Sequence, residues 1–328
     1  VANGIPVVLM GLGEIGQAIA RAAFLRSDLD VVGAVDPSPS LAGRSLAQVL
    51  GGAAPEVRIA RDLAAASPPP GAVVLHATRS LLADALPEIE AAVRAGLHVV
   101  STCEELADPS VDHEEEGTAL DRLCEEHGVA VVATGVNPGF VLDRLPALLA
   151  QSTGAVRHVL GVRVVDLAAR RAALRRKMGV GLTEDAFQAA HDRGELGHVG
   201  LRQSASLVAQ SCFEADAYEI EEDDIVALVA DEERRGEVPL QPGEIAGVQQ
   251  VARAFADGRE IVRLELTLQV GAEDPRDEIV IDATPPLRVL VPGGVPGDLA
   301  TANAVVNAVH ALVERQGLLT VLDLPAGR

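Results

Sequence analysis

The stretch Val7-Val8-Leu9-Met10-Gly11-Leu12-Gly13-Glu14-Ile15-Gly16 decides how the chain is read. Four apolar residues in a row suit a strand buried on both faces, and they run directly into three glycines spaced GxGxxG. Gln17-Ala18-Ile19-Ala20 then continues as a helix. Each glycine has a physical task in such a strand–turn–helix. Gly11 permits the tight turn, Gly13 lets a pyrophosphate approach the backbone, and Gly16 lets the helix lie close on the strand. The helix start offers N–H groups and a positive dipole end to phosphate, so Gly11, Leu12, Gly13, Glu14, Ile15 and Gly16 are the expected phosphate contacts of a dinucleotide. Asp36 ends the next strand twenty residues past Gly16. A carboxylate there binds ribose hydroxyls and favours NAD, whereas Ser38, Ser40 and Arg44 suit the 2′-phosphate of NADP, so both cofactors stay open.

Outward from this loop, strand-like runs at 6–10, 30–35, 72–76, 98–101 and 129–133 alternate with helical patterns at 15–25, 81–95 and 113–127. That alternation predicts an α/β fold, a Rossmann doubly wound parallel sheet made through right-handed crossovers. After Asn137-Pro138-Gly139 the pattern changes to longer extended runs at 157–166 and 261–270, with an acidic helical region near 214–234. A second, α+β domain is expected. A breaker-rich stretch, 292–298, precedes an apolar-periodic helix over 299–315. The expected domains are 1–138, with residues 298–328 packing back on it, and 139–297.

The 328 residues contain 27 basic and 48 acidic side chains, a net charge of −21. Such a surface repels phosphate backbones, which excludes nucleic acid as a partner. No apolar run reaches the roughly 18 residues of a membrane span, and nothing at the start reads as a secretory signal. Cys103, Cys124 and Cys212 lack metal-site or disulfide spacing, so no metal is expected and reduced thiols in the cytoplasm fit best. Lys177 is the one lysine, which leaves a single candidate for any mechanism that needs a Schiff base.

Ligands of open parallel sheets sit beyond the carboxyl ends of the strands. His76-Ala77-Thr78-Arg79-Ser80 follows one strand, and Ala77, Thr78 and Arg79 can lie along the nicotinamide half of the cofactor. Ser101-Thr102-Cys103-Glu104-Glu105 follows the next, with Thr102 a further cofactor contact. Adjacent carboxylates beside a water-excluding crevice cost free energy unless a cation or proton is present, which a cationic substrate supplies; they equally suit a solvated loop. Asn137 can hold the carboxamide of the cofactor, and Phe140 can wall a pocket. Cys103 admits a rival chemistry, a thiol attacking an aldehyde as in semialdehyde dehydrogenases. His198, flanked by Gly197 and Gly200, is a further candidate, and the acidic run 219–224 reads as a solvated face.

The glycine loop, residues 101–106 (Ser-Thr-Cys-Glu-Glu-Leu), 137–140 (Asn-Pro-Gly-Phe), 197–201 (Gly-His-Val-Gly-Leu) and 296–303 (Pro-Gly-Asp-Leu-Ala-Thr-Ala-Asn) together carry a resemblance. Over nearly its whole length the chain resembles the 2,4-diaminopentanoate dehydrogenase-like family, which includes the native amine dehydrogenases. Its first half alone is similar to dihydrodipicolinate reductase. The resemblance implies NAD(P)-dependent oxidative deamination of an alkyl amine or diamine. In reverse it implies reductive amination of a ketone or aldehyde with ammonia, by a homodimer whose second domain carries substrate and dimer contacts. It places the essential glutamate at Glu104, in preference to Glu105, and substrate contacts at Asn137, Phe140, Arg163 and His198. The His-His and Lys-x-Asp-Ala-Pro-Ser-Gly-Thr segments of dihydrodipicolinate reductases have no counterpart here, so a carboxylate must carry the proton. The alternatives are a dihydrodipicolinate reductase-like or semialdehyde enzyme, or a sensor that binds dinucleotide without turning it over.

Overall fold

The structure, a computed structural model, describes residues 4–51, 54–215 and 217–327. The chain divides into two compact units, Val1–Phe140 with Pro296–Arg328, and Val141–Val295. In the first, strands alternate with helices: β1 (Ile5–Met10), α1 (Glu14–Phe24), β2 (Leu29–Val35), α2 (Leu46–Leu50), β3 (Ile59–Ala60), α3 (Leu63–Ala66), β4 (Val73–His76), α4 (Leu82–Arg94), β5 (His98–Ser101), α5 (Glu114–His127) and β6 (Ala130–Ala133). Every residue of β4, β5 and β6 is buried, which is why these strands are near-continuous Val and Ala. Helix α1 buries Gly16, Ile19, Ala20 and Ala23, one face at helical spacing. Helix α5 starts with Glu114, Glu115 and Glu116 at its positive end and stops at Gly128, whose φ of 68° suits a residue without Cβ.

The second unit contains α6 (Arg144–Ala150), β7 (His158–Asp166), α7 (Ala172–Lys177), α8 (Glu184–His191), α9 (Leu201–Cys212), β8 (Glu219–Glu222), β9 (Val226–Val229), β10 (Ile245–Ala256), β11 (Arg259–Gln269), β12 (Arg276–Asp282) and β13 (Leu287–Pro292). Its sheet runs β13-β12-β7-β11-β10-β8, and β9 also pairs with β10. Among the described residues only the β7–β11 pair is parallel, so the sheet is mixed. Helix α9 covers β10 and β11 with Leu201, Ala205, Leu207 and Val208 fully buried. The acidic stretch expected to be helical near 214–234 forms β8 and β9 instead. Alternation in Glu219-Ile220-Glu221-Glu222 matches the period of a strand, and Arg253 on β10 lies opposite Glu221 and donates to Asp223.

The chain then returns to the first unit as α10 (Gly297–Leu312), packed against α1, and β14 (Gly317–Leu319), paired with β6. The completed sheet is parallel throughout, in the order β14-β6-β5-β4-β1-β2-β3. Its strand order reverses between β1 and β4, so the loops after those strands open at the switch point where such sheets bind ligands.

Candidate active site at the carboxyl edge of the parallel sheet

The loop after β1 is built for phosphate. A Cβ on Gly16 would stand 1.8 Å from the Gly11 carbonyl oxygen, and one on Gly11 would stand 2.5 Å from the Ala77 carbonyl oxygen, so neither position admits a side chain. Gly13 differs: a Cβ there meets nothing within 4 Å. Gly13 is also the N-cap of α1 and gives the first turn no side-chain partner, so exposed Gly13 and Glu14 and half-buried Ile15 present backbone N–H groups outward. These features fit a dinucleotide pyrophosphate. Asp36 is 9% exposed, and its two carboxylate oxygens accept the Leu12 N–H at 2.8 Å and the Ser38 N–H at 2.9 Å. The acid therefore shapes the loop as well as facing it. Ser38 and Ser40 hydroxyls lie 2.8 Å apart, and Arg44 donates to the Ser40 and Gln48 carbonyls.

The turn after β5 separates the two glutamates. Glu105 accepts the Leu82 N–H at 2.6 Å and faces His113 Nε2 at 3.1 Å. The start of α4 has no cap of its own, so Glu105 satisfies an otherwise orphaned donor there. Glu104, half-buried, begins the 3-10 turn Glu105–Ala107, and its carbonyl accepts the Ala107 N–H. Cys103 is 1% exposed and donates its thiol to the Ser80 carbonyl at 3.2 Å. Burial pushes that thiol up to about 12, the wrong direction for a nucleophile at neutral pH.

Sequence reasoning passed over the most connected side chain here. His76, fully buried at the end of β4, faces Ser101 Oγ through Nδ1 at 2.8 Å, and through Nε2 faces Thr78 Oγ1 at 2.7 Å and Glu88 at 3.0 Å. The signal was present in outline: a histidine as the last residue of an apolar strand and a serine as the last residue of the next. Glu88, mid-helix on α4, gave none. Thr78 and Ala77 are half-buried, and Arg79 is exposed beside them.

The loop after β6 holds Asn137, 7% exposed, and Phe140, 36% exposed. It is fixed by the Val136 N–H donating to Thr301 Oγ1 on α10, and by Gly139, where a Cβ would stand 2.2 Å from the Gly135 nitrogen. The Pro-Gly-Asp-Leu-Ala-Thr stretch thus braces this loop.

Arg163 and His198 belong to the second unit. Arg163 lies mid-strand in β7, directly opposite Asp277 on β12, and donates to both Asp277 oxygens at 2.7 Å and to the Val295 carbonyl at 2.9 Å. Asp277 also accepts the Val295 N–H at 2.7 Å. In this arrangement Arg163 works on the chain itself, pinning the last residue of the unit. His198 is half-buried, and Gln250 on β10 grips its backbone, accepting its N–H at 2.6 Å and donating to its carbonyl at 3.0 Å. Gln250, 52 residues away in sequence, had no local signature.

Residues 140–328 match the family described as 2,4-diaminopentanoate dehydrogenase C-terminal domain. The chain belongs to the 2,4-diaminopentanoate dehydrogenase family. It is 27% identical to the 2,4-diaminopentanoate dehydrogenase of Acetoanaerobium sticklandii across 99% of this chain and 94% of that protein. Among solved structures, the amine dehydrogenase from Mycobacterium smegmatis has a TM-score of 0.84 at 23% identity, covering 99% of this chain and 97% of that one. The scyllo-inositol dehydrogenase from Lactobacillus casei, solved with NAD(H) and scyllo-inositol, has a TM-score of 0.58 at 14% identity over 98% and 92% of the two chains. This family therefore combines the Rossmann half with a mixed-sheet second unit in an oxidoreductase. Among the described residues, no helix is long and apolar enough to cross a membrane.

Proposed function

We propose that this chain is an NAD(P)-dependent amine dehydrogenase. It oxidatively deaminates an alkyl amine or diamine and, in reverse, joins ammonia to a ketone or aldehyde. One observation carries the reading: half-buried Glu104 opens the turn after β5, on the same carboxyl edge of the parallel sheet as the glycine loop after β1. Family membership supplies the amine chemistry, and the Gly13 gap supports the dinucleotide.

When bound, the dinucleotide accepts the hydride given up by the amine carbon. Glu104 pairs with the substrate ammonium and takes its proton, so the free amine can release that hydride. Glu104 next releases that proton to solvent, takes one from the water whose oxygen adds to the iminium carbon, and returns it to the amino nitrogen, so that ammonia leaves as the hydroxyl proton is lost and the carbonyl forms. Asn137 and Phe140 orient the substrate and cofactor amide, and His198 makes a further substrate contact. Asp36 and Ser38 hold the adenosine ribose. Ala77, Thr78, Arg79 and Thr102 flank the nicotinamide end.

The assembly in this reading is a cytoplasmic homodimer. The rows Leu290–Glu278–Val162–Glu265 and Arg288–Val280–Leu160–Arg263 share one face of the mixed sheet and set apolar side chains between acidic and basic ones. Such a face suits a second copy turned about a two-fold axis. Light scattering that gives a monomer mass would remove this part.

The test of function is reduction of NAD and NADP with a panel of alkyl amines and diamines, 2,4-diaminopentanoate included. The reverse reaction uses ammonia with short ketones and aldehydes. Turnover with at least one amine, and with ammonia in reverse, is expected. Tight dinucleotide binding without turnover of any amine or carbonyl would replace the enzyme by a dinucleotide sensor.

A further inference from the structure

The hydrogens around His76 can be assigned from the heavy-atom pattern. Thr78 Oγ1 donates its one proton to Glu88 at 2.6 Å, so it can only accept from His76 Nε2 at 2.7 Å, and Nε2 carries the hydrogen. In the neutral imidazole Nδ1 then accepts the Ser101 hydroxyl at 2.8 Å, which leaves Ser101 Oγ a lone pair for the Cys103 N–H at 3.0 Å. The His76 carbonyl accepts the Thr102 N–H at 2.9 Å. Both peptide N–H groups that lead into Glu104 are thus referred to one residue. Its neighbour Ala77 donates to the Met10 carbonyl at 2.8 Å and lies against Gly11.

We propose that His76, braced by Glu88 and acting through Ser101, is a positioning residue that fixes the turn carrying Glu104 in register with the glycine loop. It touches neither substrate nor cofactor. A fully buried imidazole with both nitrogens engaged is a stiff link between β4, β5 and α4, and a half-satisfied version would leave a buried polar atom unpaired. The inference rests on the amine dehydrogenase reading only in giving Glu104 the proton.

Three substitutions separate positioning from core filling. His76→Leu removes both links and lowers kcat by roughly 10- to 100-fold, because a displacement of about 1 Å costs on that order. His76→Asn keeps an oxygen near the Nδ1 position to accept from Ser101 and recovers most of the loss. His76→Gln reaches toward Glu88, leaves Ser101 without its acceptor and does not. The amine KM moves less than about threefold in all three. Should His76→Leu keep kcat within about twofold, or should Asn and Gln lose activity alike in step with Tm, the relay is wrong.

Ser101→Ala gives a readout independent of turnover and of how His76→Leu folds. Amide hydrogen exchange at Cys103 rises about tenfold or more, with β1 unchanged. Unchanged exchange at Cys103 overturns the relay. If Glu104→Gln proves fully active, the functional reading fails while the exchange result still decides the relay.

Discussion

The parallel sheet and the mixed sheet place their buried polar groups differently. In the parallel sheet several gather at the carboxyl ends of strands: His76 and Ser101 close β4 and β5 and Asp36 follows β2, with half-buried Glu104 and Glu105 opening the next turn, while His98 begins β5. In the mixed sheet the best-buried charges, Arg163 and Asp277, sit within adjacent paired strands, Arg163 in the middle of β7 and Asp277 second in β12, 5% and 1% exposed. The strand-end groups bond to the turns that follow their strands, His76 and Ser101 while fully buried. The groups within strands are sealed by the sheet and satisfy one another. The same side-chain types therefore hold turns at the edge of one sheet and hold strands together within the other.

The two neighbouring glutamates test this contrast most sharply. Glu104→Gln removes the proton acceptor without changing shape, and kcat should fall by about 10² to 10⁴ with dinucleotide Kd hardly altered. Glu105→Ala should instead cost about 1 kcal/mol of stability, the usual cost of losing a helix cap, with a smaller loss of rate. Steady-state kinetics with thermal melts distinguish them, and equal losses of rate would end the division of labour.

In the mixed sheet the corresponding experiment is Asp277→Ala. It strands a buried guanidinium, and breaking a pair of this kind costs about 3 to 5 kcal/mol. Urea unfolding would reveal it. The double change Arg163→Met with Asp277→Leu should recover much of the loss, because no unpaired charge remains. If Asp277→Ala costs less than about 1 kcal/mol, Arg163 is not the anchor described.

That contrast also explains what could be read from sequence. The glycine loop, Asp36 and the strand-end clusters are local: each lies within a few residues of a strand whose burial shows as a run of Val, Leu and Ala. The second unit is held by contacts 114 residues apart for Arg163 and Asp277 and 52 for His198 and Gln250, which leave no spacing to find. Arg163 attracts notice as an isolated charge in an apolar strand, but its partner comes from the register of β7 with β12. The acidic region near 214–234 misled as to helix for a related reason. Glu219, Glu221, Asp223 and Asp224 are exposed as a solvated face would be, but pairing with β10 and the Arg253 contact to Asp223 make the stretch a strand. Glu88 could not be found at all, since its role depends on a histidine twelve residues back on another element.

Within the glycine loop, position separates folding from binding. Gly13→Ala meets no neighbour in the folded chain, so Tm should hold while dinucleotide Kd rises about tenfold or more, because the new methyl group occupies space left for phosphate. Gly16→Ala should lower both Tm and affinity, since its Cβ would run into the Gly11 carbonyl. Calorimetry on the two variants reads the difference; a Gly13→Ala chain that binds as the parent does would remove the pyrophosphate from this loop.

The smallest effect concerns the thiols. Burial holds Cys103 and Cys124 up to about 12, against 9.0 for a free thiol, so the folded chain keeps protons that the unfolded chain loses in that interval. Stability contributed by these groups is present below pH 9 and drains away as pH rises toward 12. Native Cys103 should accordingly resist iodoacetamide at pH 8, whereas unfolded chain reacts at once. Cys103→Ala should keep turnover within about threefold, because the thiol's contacts are weak hydrogen bonds to backbone, donated to the Ser80 carbonyl and accepted from Leu106 and Glu105. Rapid alkylation of Cys103 in folded protein, with activity lost in proportion, would bring back the thiol-nucleophile chemistry and make Glu104 its spectator.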